Sequence, residues 1–164
     1  MRKPFNANKI IAALCLFALV LSFSACAAPE DKVASSLGKY NSYEFFTSGG
    51  SQDYTDYAKY SYSSIEIEDN EYLKKVEETD LEIINEHLDD FVKWIRVHGE
   101  GEPSSELVEN YDFDRDCLGV GDYFYMESEE HTWSDGHTSL VKYNVYLFDV
   151  QTQILYYFHN NIYL

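Results

Sequence analysis

Thr79-Asp80-Leu81-Glu82-Ile83-Ile84-Asn85-Glu86-His87-Leu88-Asp89-Asp90-Phe91-Val92-Lys93-Trp94-Ile95-Arg96-Val97-His98-Gly99 is the stretch that decides the fold. At about 100° per residue, Leu81, Ile84, Leu88, Phe91, Val92 and Ile95 share one face, and Glu82, Glu86, Asp89 and Asp90 point away. Thr79 with Glu82 three residues on has the form of a capping box. Arg96 and His98 fall in the last turn, with Gly99 and then Pro103 as stop signals. The pattern predicts one long amphipathic helix over 79–98 whose apolar stripe needs a partner layer.

That partner is expected downstream. Asp122 to Met126, Ser139 to Phe148 and Ile154 to Asn160 read as strands, and Asp149-Val150-Gln151-Thr152 as the hairpin connection between the last two, with Asp149 bonding local amides. Tyr143, Val145 and Leu147 alternate with Tyr146 and Phe148, so both faces of this strand are apolar. One face should meet the helix; the other needs the N-terminal aromatic segment or a partner. Upstream, Tyr57 to Ile67 favours a strand, and Asp69 or Asn70 is placed to cap a short helix through Glu78. Tyr40 to Phe46 reads as a short strand or an aromatic plug, and Thr47-Ser48-Gly49-Gly50-Ser51 as a flexible break. The expected class is α+β: an antiparallel sheet of three to four strands with the helix packed on one face.

The chain opens differently. Arg2, Lys3 and Lys9 precede an apolar run from Ile10 to Phe23, and no acidic residue occurs before Glu30. That run is shorter than the roughly 20 residues a membrane-spanning helix needs, so residues 1–25 read as an export signal. Phe23-Ser24-Ala25-Cys26 resembles the lipobox of bacterial lipoproteins, with Phe23 in place of the usual leucine. The resemblance implies a diacylglyceryl thioether on Cys26, which becomes the new N-terminus, and a protein held at the extracytoplasmic face of the cell membrane. Two acyl chains hold stably where one would not. Residues 26–39 then read as a flexible tether and 40–164 as a single domain. Gly121-Asp122-Tyr123-Phe124-Tyr125, Tyr146-Leu147-Phe148-Asp149 and Leu155-Tyr156-Tyr157-Phe158-His159-Asn160-Asn161 resemble small lipoproteins of gut Gram-positive bacteria, a likeness that brings no activity with it.

Charge narrows the partners. The chain carries 12 basic and 29 acidic residues; without the three basic residues of the leader, the remainder has a formal charge of −20. Such a balance argues against nucleic acid, whose phosphates need the opposite sign, and the lipid must hold the protein without electrostatic help from an anionic bilayer. With Cys15 removed in the signal and Cys26 lipidated, Cys117 has no partner for an intramolecular disulfide and is expected to be buried.

Catalytic signatures are missing: there is no Gly-x-Ser-x-Gly elbow, no phosphate-cradling glycine loop and no zinc-protease motif. Asp112, Asp114 and Asp116 repeat at the spacing of the first calcium-loop ligands, but Cys117 stands where that turn needs glycine and Tyr123 where its bidentate glutamate belongs. They read instead as solvated carboxylates of a turn or strand edge. Glu129, Glu130, His131, Asp135 and His137 crowd what reads as one loop around Trp133, with Asp135-Gly136 as its turn, short of a convergent zinc set. No metal or cofactor is implied.

Aromatic residues remain the best hint. All 15 tyrosines follow Cys26, and tyrosine offers rigid apolar area with a polar tip, suited to protein interfaces and to stacking on sugars. Ile83, His87 and Trp94 sit together beside the main helical stripe, either covered by residues 40–46 or forming a contact patch; Trp133 is a second candidate anchor. The expected function is a non-enzymatic binding module for an envelope protein or glycan. The alternative is an acidic inhibitor of a cationic, lysozyme-like enzyme, and a wall-polymer hydrolase ranks last.

Overall fold

The computed structural model describes residues 31–50, 52–67, 69–99 and 106–163. The leader, Cys26, the first part of the tether and Pro103 lie outside the described residues. Residues from Lys32 onward form one compact unit. In chain order its elements are α1 (Lys32–Ser36), β1 (Ser42–Gly49), β2 (Tyr54–Ser61), β3 (Lys74–Lys75), α2 (Leu81–Gly99), α3 (Glu106–Asn110), β4 (Tyr123–Thr132), β5 (Thr138–Asp149) and β6 (Ile154–Asn161). The six strands form one antiparallel sheet in the order β1-β2-β6-β5-β4-β3. The class is therefore mixed α and β, mostly sheet, with six strands rather than three to four. Among the described residues no helix is long and apolar enough to cross a membrane.

The register divides the sheet cleanly because side chains alternate between faces. On one face, Phe46, Tyr57, Phe158, Val145 and Met126 form a transverse row. Ile84, Leu88, Phe91 and Ile95 of α2 are buried against this face, with Leu107 of α3 and Phe113 completing the core. The helical stripe thus lies where its periodicity places it, with Leu81 and Val92 only partly buried. On the other face the row Tyr60, Leu155, Phe148 is covered by Val33, Ala34 and Leu37, with Tyr62 and Leu73 beside them.

This second cover corrects the expected tether. From Lys32 the segment is helical and docked: Ala34 is fully buried, and its carbonyl accepts a hydrogen bond from the Tyr62 hydroxyl at 2.9 Å. The expected strand from Tyr57 to Ile67 instead starts at Tyr54 and ends at Ser61, because Tyr62 turns out of the sheet to reach α1. Tyr40 to Phe46 resolves into β1, which runs through Thr47 and Ser48; the expected break is confined to the β1–β2 turn, where Gly50 N donates to Asp53 O at 2.7 Å. The helix expected before Glu78 is absent. Asn70 Oδ1 instead accepts from the amides of Tyr72 and Leu73, both at 2.9 Å, and the two-residue strand β3 follows. The capping box also lies earlier than Thr79: Glu77 N donates to Asp80 Oδ2 at 3.0 Å, opening a 3₁₀ turn over Glu78–Asp80 that leads into α2.

Asp149 acts as expected. Its carboxylate accepts from Gln151 N at 2.8 Å and from the Thr152 hydroxyl at 2.6 Å, closing the β5–β6 hairpin.

Candidate functional site

Beyond the cover of α1, the second face carries a polar row with one residue from each of five strands: Thr47, Asp56, His159, Asn144 and Glu127. Four strand spacings of about 4.8 Å make this strip about 19 Å long. An aromatic row adjoins it, formed by Phe45, Tyr157, Tyr146 and Tyr125 around Ala58. Phe45 is 44% exposed, Tyr125 and Tyr157 are partly exposed, and Tyr146 is buried at the middle of the row. On the other side lie Tyr54, Asn161, Lys142 and Glu129. Glu127, Glu129, Lys142 and Asn144 line an open cleft of about 270 Å³ at the β4–β5 end.

The strip is held by a directional network. Asn144 Oδ1 accepts from the Tyr157 hydroxyl and from His159 Nδ1, both at 2.8 Å, and Asn144 Nδ2 donates to Glu127 Oε1 at 2.6 Å. The Tyr125 hydroxyl binds the other Glu127 oxygen at 3.1 Å. His159 Nδ1 also reaches the Tyr143 carbonyl at 2.9 Å. Both of its neighbours are acceptors, so Nδ1 carries the proton and Nε2 is the lone-pair nitrogen. Burial pushes the imidazole pKa below its ordinary value, against the pull of Asp56 and the Tyr143 carbonyl. Burial pushes the Asp56 carboxyl up, opposed by Thr47 and His159. The rings of Tyr54 and Tyr157 flank His159 at centroid distances of 5.2 and 6.1 Å.

The chain matches no protein-family model, no curated protein and no solved structure.

The residues singled out from sequence are not gathered here, nor into one patch elsewhere. Of the three on α2, Ile83 is exposed, Trp94 is half-buried and His87 is buried, covered by Tyr143 of β5 at 5.4 Å between ring centroids rather than by residues 40–46. Trp133 stands alone on the β4–β5 hairpin, 41% exposed, its indole N–H donating to Ser139 Oγ at 2.9 Å and its ring edge-on to His131. Asp135-Gly136 is the turn, and Gly136 at φ +85° takes the left-handed conformation that favours glycine. Glu129, Glu130 and His131 belong to β4 itself, not to a loop, with a register shift between the two glutamates.

The aspartate triplet is likewise dispersed. Asp112 binds Lys59 at 2.8 Å and the Tyr57 hydroxyl at 2.9 Å, while Asp114 accepts from Asp116 N. Burial works against it, but the bonds from Lys59 and Tyr57 hold the Asp112 carboxyl below its usual range. Among the described residues no three His, Cys, Asp or Glu side chains group to hold a metal. Cys117 is half-buried rather than buried, and burial, reinforced by Asp149, Asp114 and Asp122, pushes its thiol up to about 11, the opposite of a reactive thiolate.

A second polar cluster lies beneath α2. Ser48, Thr55, Asn160 and Tyr143 form a buried row. Thr55 donates to Asn160 Oδ1 at 3.1 Å, but among the described residues Asn160 Nδ2 and Ser48 Oγ make no hydrogen bond, and the Tyr143 hydroxyl faces Asp90. His87 Nδ1 donates to the Ile83 carbonyl at 2.9 Å, leaving Nε2 a buried, unpartnered acceptor. Asp90 lies beside them, and burial raises its carboxyl above the usual range against Lys93, Tyr143, His87 and Trp94. A carboxyl whose pKa is raised on folding favours the native state at low pH and loses that contribution as pH rises through the folded value. Asp90→Asn is therefore expected to stabilise the protein at neutral pH, within the ~0.5–2 kcal/mol common for single stabilising changes. The gain should fade as pH falls to the ordinary aspartate value of 3.8 and below. Paired denaturant titrations across that range check it; equal stability of the two proteins at neutral pH would contradict it.

Proposed function

We propose that the protein is a lipid-anchored, non-enzymatic binding module at the extracytoplasmic face of the cell membrane, and that it holds an envelope glycan on the second face of its sheet. One observation carries the binding reading: an aromatic row lies beside a strip of fixed, planar hydrogen-bonding groups. A sugar ring presents apolar C–H faces and polar edges, which such a pairing matches. The anchor rests on the lipobox and its basic, apolar leader.

Geometry weighs against hydrolysis. Asp56 and Glu127 are three strand spacings apart, about 14 Å, beyond the ~9.5 Å that paired glycosidase carboxyls span. Glu127 and Glu129 are closer, but both are exposed, with no apolar pocket to set one apart as the acid. The net charge favours the second reading, inhibition of a cationic enzyme; inhibition of lysozyme at low salt without any oligosaccharide binding would establish it instead.

The test uses the full chain expressed in a lipoprotein-processing host. The product is expected in the membrane fraction with two acyl chains on Cys26, and Cys26→Ala should release it. Phe45→Ala, in the aromatic row and exposed, should weaken binding of a hexosamine tetrasaccharide about three- to tenfold, the worth of one aromatic stack. An unmodified Cys26 would remove the anchor; unchanged binding in Phe45→Ala would remove the proposed face.

A further inference from the structure

We propose that the notch between Asp56 and His159 seats the ammonium group of an amine-bearing sugar, a de-N-acetylated hexosamine, within the glycan platform on which this inference rests. Both groups facing the notch are acceptors. His159 is 94% buried (6% exposed), and Nδ1 is tied to β5, so Nε2 points the other way, toward β2, where Asp56 is its register partner. Nε2 has no hydrogen-bond partner among the described residues. Asp56 is half-buried, and among the described residues no lysine or arginine forms an ion pair with it.

Thr47 already donates to the Asp56 carboxylate, and a cationic donor set between its remaining lone pairs and that of the imidazole would satisfy both. The rings of Tyr54 and Tyr157 on either side present π-density that favours a cation over a neutral group. Charge agrees: Glu127 lies in the same row, and the processed chain is strongly acidic. One nitrogen and one carboxylate fall short of the three or four ligands a metal site needs. A lysine side chain would fill the notch alone, whereas a sugar also uses Asn144 and Glu127 further along the strip.

The test is calorimetric titration of the full chain with three probes: a fully de-N-acetylated glucosamine tetramer, its N-acetylated counterpart, and a lysine-containing tetrapeptide. It is run at a pH of about 7, already above the ordinary imidazole value of 6.5, which burial lowers further. The de-N-acetylated tetramer is expected to bind at least about tenfold more tightly than the acetylated one. Asp56→Asn should abolish that preference, and added salt should reduce it in the wild type, a readout that needs no variant. Equal binding of the two sugars would overturn the ammonium assignment and leave the glycan platform standing. Binding of neither sugar would overturn both. Peptide binding as tight as that of the de-N-acetylated tetramer would overturn the sugar assignment in favour of a protein lysine.

Discussion

Phe158→Ala is expected to remove about 3–5 kcal/mol, a large share of the ~5–15 kcal/mol that holds a domain together. Phe158 is fully buried on β6, in the middle of the sheet. Its ring meets Tyr57 of β2 at 5.6 Å, Phe91 of α2 at 5.2 Å and Phe113 at 5.0 Å. Three separate parts of the chain thus close on one side chain, and none can collapse into the space without moving the others. For a domain of this size the loss corresponds to a fall of about 10–18 °C in Tm. Thermal melts followed by circular dichroism measure it. Phe45→Ala is the control, since that ring is exposed on edge strand β1; it should cost under about 1 kcal/mol. If Phe158→Ala costs no more than Phe45→Ala, the sheet does not close on α2 as described.

The core around Phe158 was readable in advance because two periods are written over long runs. In α2 the stripe of Ile84, Leu88, Phe91 and Ile95 repeats for four turns and ends at Gly99, and in β5 the alternation of Tyr143, Val145 and Leu147 marks the face that meets it. The Asp149 hairpin was readable because its chemistry is local. The capping box was misplaced by two residues because acidic residues crowd that turn, and Glu77 with Asp80 competes with Thr79 and Glu82. Helix α1 carries no comparable signal. Five residues, Lys-Val-Ala-Ser-Ser, show no period and resemble a linker until Tyr60, Tyr62 and Phe148 supply the surface they cover.

The polar strip was hidden for a different reason. Five of the six strands contribute one residue each, from Thr47 to His159, and what brings Asp56 beside His159 is the pairing of β2 with β6, which are distant in sequence. Period-two alternation does place His159 on the face of Tyr157, and Asn144 on that of Tyr146. It does not order the strands, so the polar residues of different strands could not be assigned to one row.

Removing α1 should have the other large effect. A chain beginning at Lys32 keeps the helix; one beginning at Lys39 lacks the buried side chains of Val33, Ala34 and Leu37 and the carbonyl that holds the Tyr62 hydroxyl. At about 1.5–3 kcal/mol for each large apolar side chain buried, with less for alanine, the shorter chain should lose roughly 4–6 kcal/mol, an upper estimate because unfolded chains already bury some surface. It should also expose Tyr60 and Phe148, and so gain affinity for a hydrophobic dye and a tendency to associate. Urea titrations of the two truncations side by side make the measurement. The contrast separates a docked element from a tether, since a true tether can be cut at either point without cost. Were both truncations to unfold at the same urea concentration, α1 would hold nothing, and the face that carries the polar strip would lack the cover that limits where a ligand can lie.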